Sequence, residues 1–113
     1  MGRTCGEGND LIQISQGDII RITGFKNQFL VISKNAFIRS TTMFHVCPVL
    51  PGVEEGPVHI KVNLLNSKKT VTAICEQVKL IDPAARGIAA VDSISYADKM
   101  EVSDTIQGLF EYD

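Results

Sequence analysis

Asp18-Ile-Ile-Arg-Ile-Thr-Gly-Phe-Lys-Asn-Gln-Phe-Leu-Val-Ile-Ser33 is the stretch from which the fold reads. Two short β-branched runs, Asp18 to Thr23 and Phe29 to Ser33, flank a polar break at Gly24 to Gln28, and that order predicts a β-hairpin. Working outward, Phe44 to Leu50 reads as a third strand. Val58-His-Ile-Lys-Val62 alternates, so Val58, Ile60 and Val62 face a core while His59 and Lys61 face outward. Val71 to Asp82 holds a fifth and a sixth strand, ended by Pro83, whose missing N–H opposes further ladder pairing. A short helix is expected near Asn35 to Arg39.

The last segment changes period. Val102, Ile106, Leu109 and Phe110 recur at i, i+4, i+7 and i+8, one stripe of a helix, with Ser95 as its cap and Asp98 in its first turn. Five or six closely spaced strands followed by one helix predict a mainly β fold, a strongly bent antiparallel sheet or small barrel closed by that helix. Residues 1–14 are expected as a flexible leader and 15–113 as the one folded domain.

Composition narrows the function classes. The 113 residues are 44% hydrophobic and 21% charged, which fits one globular domain and argues against a disordered or coiled-coil chain. Eleven Lys and Arg against thirteen Asp and Glu give a net charge of −2, so nucleic-acid binding would need a local basic patch. Apolar runs such as Phe29 to Ile32 fall far short of the roughly 20 residues of a membrane-spanning helix. No secretory pattern opens the sequence, and a cytoplasmic location is expected. Cys5, Cys47 and Cys75 are odd in number and widely spaced, as expected of reduced thiols, and they exclude a zinc site of paired CxxC type.

Few residues carry a chemical signal. There is no GxSxG or P-loop, and Gly6-x-Gly8 lacks the third glycine of a dinucleotide site. His45 and His59 stand on separate strands without a metal-ligand partner and read as surface or rim side chains. Glu76 is more informative. On a continuous strand from Ile74 to Leu80 it would sit beside the core, where burial raises a carboxyl toward general-base duty; a break at Cys75-Glu76-Gln77 would turn it into water. Arg39-Ser-Thr-Thr42 offers a cation and three hydroxyls suited to phosphate or to an ordinary turn, and Lys26-Asn27-Gln28 is a third polar loop.

Five blocks in order, Gly17-Asp-Ile-Ile20, Leu30-Val-Ile-Ser33, Asn35-Ala-Phe-Ile-Arg39, Val46-Cys-Pro-Val49 and Cys75-Glu-Gln-Val-Lys-Leu-Ile-Asp82 with Ala85-Arg-Gly87, resemble the MazF/PemK/Kid toxins of type II toxin–antitoxin systems. The similarity spans Gly17 to about Phe110. It implies an SH3-like antiparallel barrel with a C-terminal helix, a homodimer, an antitoxin partner, and cleavage of single-stranded RNA without metal or other cofactor. It places the family's carboxylate on Glu76. It also marks departures. The catalytic Arg position carries Asn27 with Gln28 after it, the Ser/Thr position carries Leu50, and a second Arg position carries Ile74. Lys26, Arg39 or Arg86 stand as replacement cations. The site expected on this resemblance is Glu76, Lys26 and Arg39 for catalysis, with Asn27, Gln28, Ser40, Thr41, Gln77 and Arg86 on the RNA. The alternative is a catalytically degenerate module that binds an antitoxin peptide or nucleic acid.

Overall fold

The computed structural model describes residues 14–110. Apart from Ile14, the expected leader lies outside the described residues, as does Cys5. In chain order the elements are β1 (Asp18–Ile22), β2 (Gln28–Val31), α1 (Asn35–Thr41), β3 (Phe44–Leu50), β4 (His59–Asn63), β5 (Thr70–Ile74), β6 (Lys79–Ile81), β7 (Ile88–Ser93) and α2 (Tyr96–Phe110). The expected hairpin is β1 and β2, paired antiparallel with Ile19 opposite Leu30. A 3-10 turn, Pro83–Ala85, leads into β7.

The strand order is β4-β5-β3-β2-β1-β7, with β6 paired to the first half of β3, and every pairing is antiparallel. The sheet bends until its two ends touch. They meet at one isolated bridge, Leu64 opposite Ile94, where the Leu65 N–H also donates to the Ser93 carbonyl at 2.9 Å. The ladder is therefore not closed, and the described residues form seven strands rather than five or six. The additional one is β7, whose Ala89, Ala90 and Val91 are all exposed, so no inward-outward alternation marks it in the sequence.

Consecutive side chains of a strand leave on opposite faces, and here both faces are buried. Ile19, Leu30, Cys47, Val49, Val62 and Ala73 form one core with Val102 of α2. Ile20, Ile22, Phe29, Val31, Phe44, Val46 and Ile81 form a second. This is why the first three strands read as nearly continuous apolar runs, whereas β4 alternates. Cys47 and Cys75 are free and fully buried, and the hydrogen bond that Cys47 donates to Cys75, together with burial, pushes the Cys47 thiol well up.

The terminal helix starts as expected, because the Ser95 hydroxyl accepts the Asp98 N–H at 3.2 Å. Asp98 in turn accepts the Asn63 N–H at 3.0 Å, which fixes the helix start against β4. Val102 is buried, and Ile106 and Leu109 are half-buried on the same core. The Phe110 side chain lies outside what the structure describes.

Candidate functional site

Strand β5 stops at Ile74, and the Gln77 N–H donates to the Ile74 carbonyl at 3.1 Å to close a turn. Glu76 occupies that turn with its side chain 42% exposed. Of the two alternatives for this stretch, the break at Cys75-Glu76-Gln77 is the one found and the continuous strand from Ile74 to Leu80 is not: Leu80 also faces solvent, at 50% exposure, and Glu76 does not border the core. A carboxyl raised by burial is excluded with that strand. The hydrogen bond from His59 holds Glu76 below its ordinary range, so it is a carboxylate that accepts and orients.

His59 is the partner that the sequence does not reveal. It opens β4 directly opposite Ile74, and its Nε2 lies 3.1 Å from Glu76 Oε2. This is the one contact between a basic and an acidic side chain among the described residues, so none of Lys26, Arg39 and Arg86 pairs with Glu76. The two are 17 positions apart in sequence, and only the β4–β5 register brings them together. His59 as an outward side chain beside the end of a neighbouring strand is the signal that a register prediction would have used.

The loop between β1 and β2 forms a second locus. Gly24 adopts φ 95°, a conformation costly for side-chained residues, and allows the short return. Phe25 packs edge-on against Phe29 with centroids 5.4 Å apart, and the Arg86 guanidinium lies 4.8 Å over the Phe25 ring. Arg86 is thereby held against the β1–β2 loop, in which Lys26 and Asn27 are exposed and Gln28 is half-buried. A shallow groove of about 440 Å³ runs past Arg21, Thr23, Phe25 and Ile88.

A third locus holds Arg39, Ser40 and Thr41 at the end of α1. The Ser40 hydroxyl donates to the Ala36 carbonyl at 3.0 Å, and that of Thr41 donates to Phe37 at 2.8 Å. Both are engaged in finishing the helix. Arg39 lines a groove of about 790 Å³ with Asp82 and the apolar Ile38, Phe44 and Pro83. Asp82 follows the last residue of β6 and Glu76 precedes its first, so Arg39 and Glu76 belong to opposite ends of that strand.

The positions named by the resemblance are mostly filled by carbon. Leu50 is half-buried opposite Thr72, whose hydroxyl donates to the Val53 carbonyl at 2.7 Å. Ile74 is only 4% exposed. Gln77 is exposed next to Glu76. Among the described residues no three His, Cys, Asp or Glu side chains gather as a metal would require.

Neither a protein-family model nor a curated protein sequence matches this chain. Solved structures do. A MazE-MazF complex from Deinococcus radiodurans superposes with a TM-score of 0.75 at 16% identity, covering 91% of this chain and 100% of that one. MazF from the same organism gives 0.73 at 14% identity, over 91% and 100% of the two chains. The toxin MazF-mt6 of Mycobacterium tuberculosis gives 0.62 at 18% identity, over 84% and 98%. The fold is the MazF fold.

Proposed function

We propose that this chain is the toxin component of a MazF-type toxin–antitoxin pair, an endoribonuclease of reduced power acting on single-stranded RNA in the cytoplasm. The observation that carries this reading is the agreement of the fold with a MazE-MazF structure over 91% of the chain, together with an exposed carboxylate at Glu76. Structures of MazE with MazF in Deinococcus radiodurans support an antitoxin partner here. A homodimer is proposed as well, since a domain this small commonly extends its burial through a symmetric copy.

The reaction needs only the substrate's own nucleophile. The ribose 2′-OH attacks the adjacent phosphorus, a base takes its proton, cationic donors hold the phosphate, and an acid protonates the leaving 5′-oxygen; no metal or other cofactor is required. Arg86, Lys26, Asn27, Gln28 and Gln77 are the proposed RNA contacts. The proposal omits Ser40 and Thr41, whose hydroxyls are engaged within α1, and Arg39, which belongs to another groove. Losing one oxyanion-type donor costs about 2.7–4 kcal/mol, so a neutral amide at Asn27 in place of a guanidinium and Leu50 in place of a hydroxyl imply slow cutting.

One observation favours a second reading. Ile74 is packed into the sheet and Leu50 brings no donor, as in a module that binds an antitoxin peptide or RNA without cleaving it. Induced expression separates the two. Growth arrest relieved by Glu76→Gln supports the toxin; unchanged growth, with tight RNA or acidic-peptide binding by the purified chain, supports the module.

A further inference from the structure

We infer that His59 is the proton-accepting catalytic residue of this site, oriented by Glu76, with Lys61 on the same strand face as the cation for the scissile phosphate. The inference rests on the RNA-cleaving reading above and assigns it residues that the resemblance does not supply.

An ordinary exposed ion pair is worth about 0–1 kcal/mol, because two mobile side chains must be ordered to make it. Here the backbones on both sides are already fixed. The His59 N–H donates to the Gly56 carbonyl at 3.2 Å and the Gly56 N–H returns to His59 at 3.0 Å, so a tight Gly56-Pro57-Val58 turn clamps the start of β4. The Cys75 N–H donates to the Val58 carbonyl at 2.9 Å, which clamps the Glu76 turn to the same place. Backbone fixation on both sides is the preorganisation that a proton-transfer pair needs.

With Glu76 as a carboxylate and the ring neutral, the bond assigns the two ring nitrogens. A carboxylate only accepts, so His59 Nε2 carries the proton toward Glu76 Oε2 and Nδ1 of the neutral ring is left as the base. No described residue hydrogen-bonds that Nδ1, and the His59 side chain is 30% exposed. The arrangement has the base-and-orienter form of activated nucleophile sites. Lys61 lies two residues along, on the outward face that alternates with buried Ile60 and Val62, about 7 Å away at the rise of an extended strand. The charged and titratable groups around His59 are Lys61 on its own strand, Glu76 in the adjoining turn with the buried Cys75 thiol behind it, and the exposed Glu54 and Glu55 of the β3–β4 connection, whose Val53 carbonyl accepts from Thr72 opposite Lys61.

The step balances without added reagents. Nδ1 of His59 takes the 2′-OH proton as the 2′-oxygen bonds to phosphorus. The P–O5′ bond breaks with its electron pair on the 5′-oxygen, which takes a proton from water. The products are a 2′,3′-cyclic phosphate and a 5′-hydroxyl, and the imidazolium returns its proton to the hydroxide so formed.

The test measures cleavage of a mixed-sequence single-stranded RNA in chelator between pH 5 and 9, for the wild type, His59→Gln, Glu76→Gln and Lys61→Gln. The expected result is a loss of 100-fold or more in kcat/KM for His59→Gln, on the scale of about 10²–10⁴ for a general base, with RNA affinity retained and the acid limb of the pH profile abolished. Glu76→Gln should lose about tenfold and keep the acid limb, and Lys61→Gln should act mainly through KM. Imidazole ¹⁵N shifts in the free protein should show one Nε2–H tautomer in the wild type and a mixture in Glu76→Gln, a readout that does not depend on activity or on a folded His59 variant. Wild-type cleavage undiminished in folded His59→Gln, or a mixed tautomer in the wild type, overturns the inference and leaves the toxin reading standing. A wild type that cuts no RNA overturns both.

Discussion

Asp92 of β7 accepts the backbone N–H groups of Asn66 and Ser67 on its two carboxylate oxygens, at 2.8 and 3.0 Å. The first belongs to the same connection between β4 and β5 that bridges to Ile94, so one side chain fastens together the two ends of the bent sheet. Asp92 is only 9% exposed, a position a carboxylate tolerates when its lone pairs are filled.

Burial alone would raise the Asp92 pKa, but the N–H donors of Asn66, Ser93 and Ser67 outweigh it and the carboxyl is held below 3.8, its ordinary value. A depressed folded pKa means stability that is present above the unfolded value and lost as pH falls through the folded one. Asp92→Asn should cost about 1–3 kcal/mol at pH 7. Urea melts at pH 7 and pH 3 check this: the difference from wild type should shrink at the lower pH, and an equal gap at both would refute the assignment.

The helix offers a graded comparison. Val102 is 2% exposed, whereas Ile106 is half-buried against the same core. Val102→Ala should cost about 2 kcal/mol, and Ile106→Ala no more than that despite its larger side chain, because part of its surface is already in water. Chemical denaturation of the two variants decides it, and a greater loss at Ile106 would place that residue deeper than its exposure allows.

Gly87 has a packing reason to be glycine. A Cβ there would come within 2.5 Å of Thr23 Oγ1, while the Thr23 N–H donates to the Gly87 carbonyl at 2.9 Å. Gly87→Ala should cost about 1–2 kcal/mol, and much less in a Thr23→Ala background. Additive losses in the double mutant would mean that the contact is not the cause.

Much of this architecture was legible because it is written in local pattern. The β-branched runs around Gly24 to Gln28 and the stripe Val102, Ile106, Leu109 name their elements without help from the rest of the chain. What escaped depends on pairing across distance. Strand β7 is held by β1 on one side and by the Asp92 contacts, and its exposed alanines give no period-two signal. Glu76 could be placed on either side of a strand break by sequence alone, since Val78 and Leu80 mimic a core face that the turn abolishes. The His59–Glu76 pair needs the β4–β5 register, which depends on where each strand begins.

Arg86 tests the proposed RNA surface. Its stacking over Phe25 holds the guanidinium against the loop that carries the exposed Lys26 and Asn27. Arg86→Ala should weaken binding to single-stranded RNA by about three- to tenfold and flatten the plot of log affinity against log salt by about 0.7, the value of one phosphate contact on a single strand. Fluorescence anisotropy across a salt series measures both, and an unchanged slope would remove Arg86 from the interface.

The claim at the centre of this account is that the chain uses the ribose 2′-OH of its substrate to cut RNA. The most direct measurement incubates the purified protein, in chelator, with a mixed-sequence single-stranded RNA and with its DNA counterpart. The account predicts slow cleavage of the RNA, ending in cyclic phosphate, and an intact DNA strand, because the nucleophile belongs to the ribose. RNA left whole at high protein concentration, or DNA cut alongside it, would contradict the account.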